Sequence, residues 1–118
     1  MGEFSGPGDV FLADCPARLA VEVIADKWSV VVLYALSRGS RRHGELVELI
    51  GGISKKMLTQ TLRRLQQYGL VDRQAYAEVP PRVEYELTDL GRTLIDPINM
   101  LTRWAQENGE DVLAAQYP

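Results

Sequence analysis

The chain contains one cysteine, one histidine and no long apolar run in its 118 residues. A lone cysteine closes no disulfide within the chain, which excludes a cystine-stapled secreted scaffold and every multi-cysteine zinc site. With His43 the only histidine, the usual histidine metal sites and the Ser-His-Asp arrangement are excluded as well. These absences argue against an enzyme, and no cofactor or metal is expected. The most apolar segment, "VVVLYAL" at Val30–Leu36, is far too short to span a bilayer. The opening "MGEFSGPGDV" lacks the basic-then-apolar order of a signal peptide, so a cytoplasmic chain with no membrane attachment is expected.

What is present suits one compact domain. Hydrophobic residues make up 46% of the chain and charged ones 25%, enough of each for a packed core under a solvated surface. The glycines and proline near the start mark residues 1–12 as a flexible leader, 13–107 as the domain and 108–118 as a tail. The net charge of −3 conceals a polarity along the chain. Between Arg38 and Arg82 stand nine Lys/Arg against four Asp/Glu, a local balance of +5, whereas the flanks together carry −8. A basic centre between acidic ends suggests one surface for a polyanion and another for solvent or a partner.

The periodicity predicts a short helix opening at Pro16, then a buried helix through "DKWSVVVLYALSRGS", stopped at Gly39. A small helix carrying Leu46, Leu49 and Ile50 follows, broken by Gly51-Gly52. Ser54 is placed to cap the next helix and Gly69 to end it. On that helix Met57, Leu58, Thr61, Leu62, Leu65 and Tyr68 share one face, and Lys56, Thr59, Gln60, Arg63 and Gln67 share the other. The second face has no acid and no bulky apolar residue, a composition fitted to phosphates and base edges. Alternation in "VDRQAY" and "VEYEL" predicts a hairpin with Arg82 near its proline-rich tip. Thr88 then caps a last helix striped with Leu90, Leu94, Ile98, Leu101 and Trp104, which Pro97 should kink. Ile95 and Met100 lie off that stripe and would be left exposed in a domain this small.

Helix, glycine turn, basic helix and hairpin, in that order, predict a mainly α fold with a small antiparallel β-hairpin wing: a winged helix-turn-helix. The strings "CP", "DKW", "RHGEL", "GGISKKMLTQTLRRLQQYGLVDR", "VPPRVEYELTDLG" and the late Trp104 together resemble the HxlR family of winged helix-turn-helix transcriptional regulators. That resemblance covers roughly Cys15 to Trp104 and implies a bacterial, MarR-like homodimer on palindromic double-stranded operator DNA, paired through its first and last helices. Carried onto this chain, such pairing would use Leu19, Val23, Leu94, Ile98, Leu101 and Trp104. Arg63 and Lys56 are the expected main DNA contacts, with Thr59 and Gln60 on base edges, Ser54 and Lys55 on phosphates and Arg82 on the wing. Arg41 and Arg42 are either backbone contacts or solvated charges.

One departure from the family is His43, standing where a phenylalanine is usual; a buried neutral histidine is expected there, with a pH sensor as the alternative. Cys15 matches a position that some relatives use to sense electrophiles, quinones, aldehydes or oxidants; others bind small aromatic ligands between subunits. A thiol beside Pro16 sits near the positive end of a helix dipole, which favours its reactivity, while Asp14 opposes it. The alternative role is a small capping residue packed at a dimer seam. A winged-helix protein-interaction module would carry apolar anchors on the fourth helix, where the polar face stands instead. A thiol enzyme would need an activating base near Cys15, and the sequence supplies none.

Overall fold

A computed structural model describes residues 10–116 of the chain, with the Val23 side chain also outside the described set. Most of the expected leader, residues 1–9, therefore lies outside the described residues. The order of elements is α1 (Pro16–Ile24), α2 (Lys27–Leu36), α3 (His43–Leu49), α4 (Lys55–Gln67), β1 (Val71–Tyr76), β2 (Arg82–Leu87), α5 (Asp89–Arg92) and α6 (Ile95–Gln116).

Local chemistry accounts for most boundaries. Pro16 occupies the first turn of α1, where its missing N–H has no intrahelical acceptor to lose. The Asp26 carboxylate accepts from the Ser29 N–H at 3.2 Å and caps α2. Ser54 Oγ accepts from the Met57 N–H at 3.0 Å and caps α4. At the other end of α4, Gly69 adopts φ +74°, its N–H donates to Gln66 O at 3.0 Å, and the Leu70 N–H donates to Leu65 O at 2.9 Å. This paired closure takes up the last carbonyls of the helix and turns the chain directly into β1.

β1 and β2 pair antiparallel from Val71↔Leu87 at the base to Tyr76↔Arg82 at the tip. Arg41 adds a single bridge on the other edge of β2, its N–H donating to Tyr85 O at 2.9 Å and its carbonyl accepting from the Tyr85 N–H at 2.8 Å. The wing is thereby tied to the segment just before α3. Val32, Leu33 and Leu36 of α2 meet Leu46 of α3, Leu58, Leu62 and Leu65 of α4, and Val71 and Leu87 at the wing's base in one core.

The last helical segment differs from the expected single kinked helix. Thr88 Oγ1 accepts from the Gly91 N–H at 3.0 Å, capping the four-residue α5, and the helix ends at Thr93. α6 then starts afresh at Ile95, which puts Pro97 in a first turn, where a proline breaks no hydrogen bond. The restart also rotates Ile95 inward to pack partly against the core, contrary to its expected exposure, whereas Met100 is exposed. Ile98, expected at a subunit interface, is buried in the protomer's own core. Residues 108–116, set apart as a tail, are helical. α6 rises about 33 Å over its 22 residues. The Cα radius of gyration is 16.8 Å, well above the roughly 13–14 Å of a compact domain this long. α6 carries exposed Leu101, Trp104, Val112 and Leu113 along its length. Among the described residues, no helix is long and apolar enough to cross a membrane.

Candidate nucleic-acid interface

α3, the turn holding Gly52 at φ +86°, and α4 form the helix-turn-helix. α4 buries Leu58, Thr61, Leu62 and Leu65 and is thereby fixed in rotation about its axis. The opposite side presents Lys55, Lys56, Thr59, Gln60, Arg63 and Gln67, all exposed, with Ser54 at the helix start. Among the described residues, the cations Lys55, Lys56 and Arg63 enter no ion pair, in contrast to Arg18, Arg64, Arg82 and Arg92. The amphipathic pattern of the sequence is thus realised, and its polar side is a contiguous cationic surface without competing acids.

Several basic residues of the central segment are taken up inside the fold. Arg64, one position from Arg63 and turned to the other side of the helix, bonds Asp26 Oδ2 at 2.7 Å and Ser29 Oγ at 3.3 Å. It clamps α4 to the start of α2, a role sequence reasoning missed because its partners lie in a separate helix. Arg41 is half-buried, and its Nε donates to Ala35 O at 2.9 Å. Arg82, the expected wing contact, lies 3.1 Å from Glu78, 3.9 Å from Glu84 and 4.2 Å above the Tyr76 ring centroid. Its guanidinium is neutralised within the hairpin. The exposed cation of the wing without an ion pair is Arg73 on β1, which sequence reasoning passed over.

His43 differs from expectation too. It is half-buried at the start of α3, with Nε2 3.0 Å from Thr59 Oγ1 on α4. The Thr59 hydroxyl donates to Lys55 O at 2.9 Å, so its one proton is committed and the imidazole Nε2–H is the donor between the two side chains. His43 therefore holds an expected base-reading side chain in one rotamer. Replacing it with phenylalanine should release Thr59 and alter preference at one base position by roughly fivefold, leaving affinity for random DNA unchanged. Binding to a panel of single-base operator variants checks this, and superimposable profiles would count against it.

A basic, acid-free helix face presented after a glycine turn, with a two-stranded wing behind it, defines a helix-turn-helix transcriptional regulator of the winged type. Comparison with known proteins agrees. Residues 23–112 match the HxlR-like helix-turn-helix family. The chain is 40% identical over 109 residues to the HTH-type transcriptional regulator YtfH of Escherichia coli, itself uncharacterized, spanning 92% of this chain and 86% of that one. The solved structure of a candidate transcriptional regulator, ytfH from Salmonella typhimurium, superposes with a TM-score of 0.80 at 38% identity, covering 93% of this chain and 98% of that one. The redox regulator HypR in its oxidized form superposes with a TM-score of 0.75 at 37% identity, covering 80% and 97%. The chain belongs to the HxlR family of helix-turn-helix transcriptional regulators.

Proposed function

We propose that the chain works as a homodimer that reads a palindromic operator with two copies of α4, and that a small molecule or modification of Cys15 alters that reading. The observation that carries this proposal is the α4 face: three unpaired cations around Thr59 and Gln60, with no apolar anchor a protein partner would need. In this reading Lys56 and Arg63 make the main contacts, Ser54 and Lys55 hold phosphates near the helix start, and Thr59 and Gln60 face base edges. Arg82 would have to leave its glutamates to reach DNA, so its share in binding is the smaller. Replacing Arg63 with alanine should cost about 1–3 kcal/mol of operator affinity if it contacts a base. A binding isotherm unchanged at fixed salt would remove Arg63 from the interface.

Pairing through the ends of the chain is supported by apolar surface left on α1, α5 and α6. Leu19, Leu90, Leu101 and Trp104 are each about half exposed. A cleft of about 420 Å³ between α1, the end of α4 and α5 is lined by Leu19, Tyr68, Leu90 and Leu94, among others, and almost wholly apolar. A second copy would cover this surface.

Cys15 stands at the N-cap position of α1, at one margin of that region, and is only 3% exposed. Its burial at a proposed seam unites the two roles considered for it, since a group added to the sulfur there has to displace packed atoms. The similarity to a regulator named for redox control points the same way. Diamide or a quinone should lower operator affinity of the wild type and leave Cys15→Ser unaffected. An equal response of both proteins in an anisotropy titration would transfer control to a bound ligand.

A further inference from the structure

Leu101, Trp104, Asn108 and Val112 of α6 fall within about 80° of arc around the helix axis and so form one narrow stripe. Ile95 and Ile98 hold the first turns of α6 on the core, whereas from Arg103 to the end of the helix every residue is exposed but Asn108 and Gly109. The stripe is left uncovered, with its three apolar members each at least 50% exposed. Asn108 is its only polar member, and its amide is half satisfied. Nδ2 donates to Trp104 O at 3.0 Å on the same helix. That bond occupies one of two amide protons and neither lone pair of Oδ1.

Any partner that covers the stripe takes this amide out of water and has to bond what remains of it, because an unpaired buried polar group is costly. An apolar side chain cannot do so. A second Asn108 can, and a two-fold axis supplies both halves at once: the free proton of each Nδ2 donates to Oδ1 of the other. The neighbouring positions fit the same arrangement. An antiparallel crossing centred on Asn108 sets each Trp104 against the partner's Val112 and each Leu101 against the partner's Ala115, so that large side chains meet smaller ones. We propose that α6 docks on α6 of a second copy with Asn108 facing the partner's Asn108 at the two-fold axis, and that this amide pair makes Asn108 the residue that restricts pairing to identical chains. A polar side chain set in an otherwise apolar seam fixes register in this way and penalises apolar partners. The inference rests on the homodimer proposed above and adds its register and its choice of partner.

The test uses the full chain without DNA. Cys15→Ser removes the only native thiol, and Asn108→Cys in that background places one at the proposed axis. Mild oxidation with copper phenanthroline should convert most of this protein to a covalent dimer, because facing Cβ atoms there come within disulfide reach. Glu110→Cys in the same background, about half a turn from the stripe, should remain uncrosslinked. Partner choice is read separately, with Cys15 intact. Wild type carrying a mass tag is mixed with Asn108→Leu, brought to exchange equilibrium and counted by native mass spectrometry. The mixed dimer alone buries an unpaired amide, so it should fall below its statistical share by on the order of tenfold. A wild-type chain that sediments as a monomer overturns the homodimer and this pairing with it. A dimer whose Asn108→Cys form cross-links no better than Glu110→Cys, or whose mixed species makes up the statistical half, overturns the Asn108 pair and leaves the homodimer standing.

Discussion

Changing Leu101 to glutamate is expected to leave a folded monomer that no longer holds an operator. Leu101 is 53% exposed in the protomer, so the new carboxylate remains in water and the core formed around Ile98 is untouched. In a dimer the same carboxylate would be buried without a partner, a loss of about 3–5 kcal/mol, and symmetry introduces it twice. The dissociation constant of the dimer should rise at least about a hundredfold. Losing the link between two half-sites should cost DNA affinity a further factor on the order of 10²–10⁴. Sedimentation with an unchanged thermal unfolding profile checks the first part. A variant that remains dimeric would move the interface elsewhere.

Gly91→Ala should have the largest effect on folding. Gly91 is buried in α5, and a Cβ there would collide with the Leu70 carbonyl oxygen, lie 3.1 Å from the Leu70 carbonyl carbon and 3.4 Å from Leu87 Cβ. The first two obstacles are backbone, and that backbone is held: the Leu70 carbonyl accepts the Thr88 N–H at 3.0 Å, and Thr88 Oγ1 donates to Gly69 O at 2.6 Å. Neither side can yield without loosening the junction of α4, the wing and α5. A cost of about 3 kcal/mol or more is expected, lowering the melting temperature by roughly 10 °C or more. A melting temperature within a degree or two of wild type would show that α5 can move away freely.

The helix-turn-helix was legible because its signals are local. Ser54, Gly69 and the two faces of "KKMLTQTLRRLQQY" determine where α4 begins, ends and points, and the structure has each of them, except that Met57 and Tyr68 of the apolar face stand exposed. The hairpin was legible in alternation, and the observed β2 adds only Arg82 to the expected run. What escaped depends on distance or phase. Arg63 and Arg64 are adjacent and chemically alike; only Asp26, 38 positions from Arg64, separates the surface cation from the structural one. Arg82 pairs with Glu78 and Glu84, four residues before it and two after, acids whose approach is set by the turn that leads into β2 and not by the alternation read from the sequence. Ile95 was misplaced because the apolar phase was carried through from Thr88, while the break at Thr93 resets it. His43 was expected inside because it replaces an aromatic, but at the start of α3 it reaches Thr59 on the neighbouring helix.

Cys15 is the point where local and tertiary information meet. Its place before Pro16 gave the helix start, and its burial, invisible in the sequence, limits how a reagent can reach it. The Cys15→Ser comparison therefore reports on the seam as much as on the thiol.

The central claim is that α4 from two paired chains reads a two-part DNA sequence. Hydroxyl-radical footprinting on fragments selected from genomic DNA tests it most directly. The account predicts two protected tracts on one side of the duplex, centred about one helical turn, roughly 34–36 Å, apart. Both tracts should weaken together in Arg63→Ala. Protection spread evenly along the fragments with no sequence selected, or a footprint indifferent to Arg63, would contradict it.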